Sequence, residues 1–196
     1  MTNRRSFLQL AGSSLAFPFI ARTSWAQSSP NSRISHASFG GGGMAMTDLR
    51  NIAKHPQVDV RAIAEIDPQR RIRAGGQFKQ ATVYADWREM LDKEGDKLDT
   101  VNVSTPDHMH ASMAMKSMQR GIHVYGQKPL THGVAESRAL SEYARKKKLV
   151  TQMGIQCHSM KEYRTAVRLV HDGAIGKLVE AHSFSDKRWG DPDPKP

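Results

Sequence analysis

The chain has a single cysteine, Cys157, so it can close no disulfide within itself and can assemble no cysteine-based metal cluster. Long apolar runs are equally scarce. Beyond the stretch from Leu10 to Ile20, no segment is long and apolar enough to cross a membrane as a helix. Acidic residues are the minority, 19 against 29 basic ones, for a net charge of +10. Aromatic residues do not interleave with the basic ones, which argues against a nucleic-acid partner. The run Arg145-Lys146-Lys147-Lys148 is instead expected at a helix end, where cations oppose the negative end of the dipole.

What is present suits a globular protein: 38% hydrophobic and 24% charged residues, with 196 positions giving room for one full core and the start of another. The N-terminal 26 residues have a different anatomy. Asn3-Arg4-Arg5-Ser6-Phe7-Leu8 opens an apolar stretch without an acid, and Ser24-Trp25-Ala26 supplies small residues at the positions one and three before a cut. Residues 1–26 therefore read as a twin-arginine signal, which implies contact with the export machinery and a periplasmic or otherwise extracytoplasmic destination. Removing Arg4, Arg5 and Arg22 with the signal leaves 26 basic residues against 19 acidic ones, a moderate +7. Residues 27–32 form a linker.

From Arg33 onward, strand and helix signals alternate. Strands are expected over Arg33 to Phe39, Val58 to Ala64, Thr82 to Tyr84, Thr100 to Ser104, Ile122 to Tyr125 and Leu149 to Met153. Helices are expected over Met44 to Lys54, from Pro68 at a first turn capped by Asp67, over Trp87 to Leu91 behind an Asp86 cap, up to Gly121 behind an Asp107 cap, and over Glu136 to Lys147. This order predicts an α/β protein with a doubly wound parallel sheet over residues 33–154. Met109, Met113 and Met118 fall at helical spacing and are expected in its core, and Cys157 is expected to be a buried bystander. A further helix, Met160 to His171, and a strand, Leu178 to Ser185, would begin a second domain over residues 155–196 that the sequence cuts short.

The chemistry-bearing residues gather at the strand ends. Gly40-Gly41-Gly42-Gly43-Met44-Ala45 fits Gly-x-Gly-x-x-Ala between a strand and a helix. Gly40 permits the tight turn, Gly42 lets the backbone approach a pyrophosphate, and Ala45 lets helix and strand pack closely, with Met44 in the helix's first turn offering an N–H. Glu65, 25 positions after Gly40, closes the second strand where a carboxylate can accept from both hydroxyls of an adenosine ribose and would repel a 2′-phosphate. This favours NAD, although Arg70 and Arg71 keep NADP open. Histidines 108 and 110 are two apart and share no helix face, so no metal site is expected.

The glycine turn, Glu65, Thr105-Pro106-Asp107-His108-Met109-His110 and Tyr125-Gly126-Gln127-Lys128-Pro129-Leu130 together resemble the Gfo/Idh/MocA family of oxidoreductases, over about residues 33 to 190. In that family a Thr-Pro-Asn-x-x-His motif usually follows the fourth strand and a Glu-Lys-Pro motif the fifth; here Asp107 replaces Asn and Gln127 replaces Glu. The resemblance implies a Rossmann domain followed by an α/β substrate domain. It implies cofactor contacts from Thr105, Pro106, His110 and Gln127, and a catalytic Lys128 beside the nicotinamide and the substrate oxygen. An ammonium next to a cationic oxidised nicotinamide is easier to deprotonate, which suits proton transfer. Gln127 keeps the capacity to hydrogen-bond a cofactor ribose but supplies no negative charge. Gly154-Ile155-Gln156-Cys157-His158-Ser159 and Lys187-Arg188-Trp189 resemble further stretches of exported members.

The implied activity is hydride transfer between a nicotinamide and a hydroxyl-bearing carbon of a sugar or polyol-like substrate, with a homo-oligomeric full-length enzyme left open. Two other readings stand beside it. One is a non-catalytic nucleotide-binding fragment, the other a redox-cycling glycosidase in which bound NAD oxidises and re-reduces the sugar.

Overall fold

The computed structural model describes residues 33–184, so the twin-arginine segment, the linker and the Lys187-Arg188-Trp189 stretch lie outside the described residues. Six strands are formed: β1 (Ile34–Phe39), β2 (Val58–Ala64), β3 (Thr82–Tyr84), β4 (Thr100–Val103), β5 (His123–Gln127) and β6 (Thr151–Gly154). All pair in parallel, in the order β3-β2-β1-β4-β5-β6. The chain builds outward from β1 to β3, then returns to lay β4 against the free edge of β1. The order reverses there, and the crevice at the carboxyl ends of β1 and β4 is where such sheets receive ligands.

Five helices connect the strands: α1 (Gly43–Ile52), α2 (Pro68–Gln77), α3 (Trp87–Glu94), α4 (His110–Gln119) and α5 (Val134–Lys147). Their starts follow local chemistry. The Asp67 carboxylate accepts the Arg70 N–H at 3.0 Å with Pro68 in the first turn, and Asp86 accepts the Arg88 N–H at 2.8 Å. Asp107 opens a 3₁₀ turn, Asp107–Met109, rather than capping α4 through its side chain. At the end of α5, Arg145, Lys146 and Lys147 occupy the last turn.

The core forms two clusters. Met46 and Leu49 of α1 and Ala74 of α2 pack with Val60, Ile63 and Phe78. Helices α3, α4 and α5 contribute Met90, Met113, Met118, Leu140 and Ala144 to a larger cluster with Phe39, Val101, Val103 and Ile122. Val60 and Ile63, three apart, share one cluster because β2 carries an irregularity: His36 pairs with Val60 but Ala37 pairs with Ala62, leaving Arg61 as an extra residue. Arg61 turns to Glu94, 2.7 Å away, and the Tyr84 hydroxyl donates to the other oxygen of Glu94 at 3.0 Å. Arg61 and Tyr84 hold that carboxyl below its usual range against the opposing effect of burial, which is the largest single influence on it.

The chain divides into two compact units between Gly154 and Ile155. The second unit holds α6 (Gln156–Ser159) and α7 (Lys161–His171). Its described residues include no strand, so the one expected from Leu178 is not formed over 178–184. A strand requires a neighbour to pair its N–H and C=O groups, and nothing in this unit supplies one. Cys157 is exposed rather than buried, because no described residue of this unit is enclosed. Among the described residues, no helix is long and apolar enough to cross a membrane.

Candidate functional site

β1 ends at Phe39, and Gly40 turns the chain with φ +102°, a conformation that side chains disfavour. Its N–H donates to the Ala64 carbonyl at 2.8 Å. A Cβ at position 40 would stand 2.7 Å from the Ala45 Cβ and 2.8 Å from the Ser104 carbonyl oxygen. Only glycine fits there, and only a small residue fits at 45. Gly42 lies extended just before α1, and a side chain on it would run into Arg70. The turn therefore delivers bare backbone and the first N–H groups of α1 to the crevice, an arrangement suited to an anionic phosphate.

Glu65 follows β2 and is only 8% exposed. One of its oxygens accepts the Gly41 N–H at 2.7 Å and the other accepts the Asp67 N–H at 3.0 Å. The carboxylate thus ties the glycine turn to the start of α2 while bordering the cavity. Each nearby arginine already has an oxygen partner. Arg71 donates to the Glu65 and Ile66 carbonyls, Arg88 forks onto Asp86, and Arg70 lies 3.9 Å from Asp67. The Arg88 hydrogen bond holds the Asp86 carboxyl below its usual range.

A cavity of about 640 Å³ opens between these elements. Gly40, Gly42, Glu65, Thr105 and Pro106 border it, and Trp87, whose ring meets Phe39 edge-on at 5.9 Å, closes one side.

A buried polar chain runs beneath the sheet's carboxyl edge. Thr100 Oγ1 is 2.7 Å from His36 Nδ1, and His36 Nε2 is 2.9 Å from Asn102 Oδ1. Asn102 Nδ2 donates to Ser104 Oγ at 3.1 Å, and Ser104 Oγ donates to Asp48 Oδ2 at 2.8 Å. From the opposite side Gln127 Nε2 donates to the same Asp48 oxygen at 2.9 Å, and Gln127 Oε1 accepts the Lys128 N–H at 3.1 Å. Burial lowers the His36 pKa to about 4 against a smaller upward pull from Asn102. Burial raises that of Tyr125, with the Asp48 charge adding to it.

The expected site residues thus fall into four groups. Gly40, Gly42, Glu65, Thr105 and Pro106 share the cavity. Ala45 is buried under the turn, and Met44, half exposed, starts α1. His110 and Gln127 do not border that cavity and are held by partners within the domain. His110, 2% exposed, aims Nδ1 at the Pro129 carbonyl at 2.6 Å and Nε2 at that of Thr105 at 2.8 Å, bracing the loops after β4 and β5 against each other. Gln127, 4% exposed, is spent on Asp48 and Lys128. Lys128 is exposed, at the turn leaving β5. Sequence reasoning missed Asp48 and Trp87. An acid at position 48, on the same helical face as Ala45 and Leu49, was the available signal. Among the described residues no group of His, Cys, Asp or Glu could hold a metal ion.

A parallel sheet of this order, with a glycine turn at its point of reversal and an acid after β2, defines a dinucleotide-binding α/β domain. Residues 34–155 match the family model described as the oxidoreductase family with NAD-binding Rossmann fold, GFO_IDH_MocA. The chain belongs to the Gfo/Idh/MocA oxidoreductase family and carries its NAD-binding domain. It is 27% identical over 135 residues to levoglucosan dehydrogenase of Pseudarthrobacter phenanthrenivorans, covering 68% of this chain and 34% of that protein. It is 30% identical over 141 residues to a glycosyl hydrolase family 109 protein of Shewanella sp., covering 69% and 29%. The structure of GenD2 from gentamicin A biosynthesis in complex with NAD superposes with a TM-score of 0.67 at 25% identity, covering 72% of this chain and 40% of that one. The chain thus spans about a third of the length of these curated relatives.

Proposed function

We propose that this chain is the cofactor-binding part of an exported, NAD-dependent dehydrogenase acting on a hydroxyl-bearing carbon of a sugar or polyol-like substrate. The observation that carries the reading is the fit of the glycine turn: the space a Cβ would need at Gly40 is already filled, and the turn opens onto a cavity bordered by Glu65. Gly40, Gly42 and the first turn of α1 would hold the pyrophosphate, and Glu65 the adenosine ribose. Glu65 favours NAD over NADP, since Arg70, Arg71 and Arg88 are already partnered by oxygens. The nicotinamide supplies hydride acceptance or donation. Lys128 is exposed at the turn leaving β5, and the role assigned to its ammonium is to hold the substrate oxygen and exchange a proton with it.

The sugar-like substrate class is supported by the names of relatives, a levoglucosan dehydrogenase among them. The likeness to a glycosyl hydrolase family 109 protein favours a second reading, redox-cycling hydrolysis, which releases sugar without net NADH.

Lys128→Met tests the catalytic assignment. In the enzyme carrying its substrate domain, dinucleotide affinity should be kept while turnover falls about a hundredfold or more, the usual scale of an acid–base contribution. Normal turnover would make the lysine structural. Export is tested by replacing Arg4 and Arg5 with Lys, which should leave precursor in the cytoplasm on fractionation; unimpaired export would reject the twin-arginine route.

A further inference from the structure

Asp48 is a carboxylate in the interior, 6% exposed, on a helix face it shares with Ala45 and Leu49. A buried charge of this kind is tolerated only when hydrogen bonds replace its water. Here Ser104 Oγ and Gln127 Nε2 both donate to Oδ2, at 2.8 and 2.9 Å. The Gln127 amide is doubly committed, since its oxygen accepts the Lys128 N–H. A glutamate at position 127 has no N–H to give. It would set two carboxylates in hydrogen-bond contact, an arrangement in which both cannot stay ionised. With Asp48 at its back, position 127 therefore needs an amide.

We propose that Asp48 is a positioning residue for the nicotinamide end of the cofactor. Its buried carboxylate fixes the Gln127 amide and, through it, the Lys128 backbone, so that positions 48 and 127 form one matched pair. The negative charge sits on α1 and the amide donor on β5. This rests on the dinucleotide reading given above. Gln127, standing where the family motif usually carries Glu, supplies the N–H that the Asp48 carboxylate accepts.

Two measurements on the 196-residue chain test it. The first is urea unfolding without cofactor. Gln127→Glu should lower the midpoint, and Asp48→Asn/Gln127→Glu should recover most of the loss, because the amide introduced on α1 can donate to the carboxylate introduced on β5. An unshifted midpoint in Gln127→Glu, or a double variant no more stable than Gln127→Glu, overturns the pairing. The second compares NADH with ADP-ribose, which lacks the nicotinamide. Asp48→Ala should weaken NADH at least tenfold while leaving ADP-ribose within about threefold, since Gly40 and Glu65 hold the adenosine half. Equal loss of both, or of neither, overturns the positioning role. If the unaltered chain binds neither ligand, the dinucleotide reading and the positioning role fall together; the unfolding cycle still decides the pair.

Discussion

Replacing Glu65 with alanine removes a group that serves the fold and the cofactor at once, and the two effects separate. In the free protein its oxygens accept the Gly41 and Asp67 N–H groups at 2.7 and 3.0 Å. A hydrogen bond to a charged partner contributes about 1.5 to 3 kcal/mol, so losing two, with water filling part of the gap, should cost about 2 to 4 kcal/mol. For a chain of this size a kilocalorie shifts the thermal midpoint by about 2 to 4 °C, which gives a fall of roughly 4 to 16 °C. The same substitution removes the ribose acceptor and the repulsion toward a 2′-phosphate. NAD should weaken by about ten- to a hundredfold, each tenfold corresponding to about 1.4 kcal/mol, and the NAD-to-NADP preference should narrow by at least tenfold. Calorimetry with both dinucleotides, alongside a melt of the free chain, reads both effects. A midpoint within a degree of the parent, or NADP preferred by the parent itself, would refute the assignment.

Two further perturbations bear on the interior. His36 titrates near 4 when folded and near 6.5 when unfolded, so the unfolded chain takes up the proton first as pH falls. Stability should be complete above about pH 6.5 and lost progressively toward pH 4, by about 3 kcal/mol, and His36→Gln should flatten urea midpoints across that window. Gly40→Ala forces a side chain into φ +102° and against Ala45 and Ser104, so it should cost about 1 to 3 kcal/mol or more and abolish dinucleotide binding. Retained NAD affinity in that variant would show that the turn does not receive the pyrophosphate.

The sheet was legible because its signals are local. Short strand-like runs alternating with helical segments specify a parallel sheet almost without reference to tertiary contacts, and Asp67 and Asp86 cap where sequence rules put them. The glycine turn was legible for the same reason: backbone conformation and close approach restrict residue type at Gly40 and Ala45 whatever the ligand. Side-chain direction was not. That Gln127 and His110 turn inward depends on partners 79 and 19 positions away in sequence, which no local pattern encodes. Boundaries drifted where the sheet decided them. β5 runs on through Gly126 and Gln127 because β4 pairs as far as Gly126 and β6 pairs with both residues, and α1 begins at Gly43 and ends at Ile52.

The polar chain beneath the sheet has only one consistent arrangement of its protons. Asn102 offers His36 an oxygen, so the imidazole must carry its hydrogen on Nε2 and leave Nδ1 bare, which in turn obliges the Thr100 hydroxyl to point inward. Every bond from Thr100 to Ser104 then runs the same way, each donor's hydrogen pointing along the row toward Asp48. The row behaves as an aligned set of dipoles whose positive ends face the anion. A domain interior assembled from β1, β4 and α1 thereby gains a fixed polarity, with Thr100 at one end of the row and the buried Asp48 carboxylate at the other.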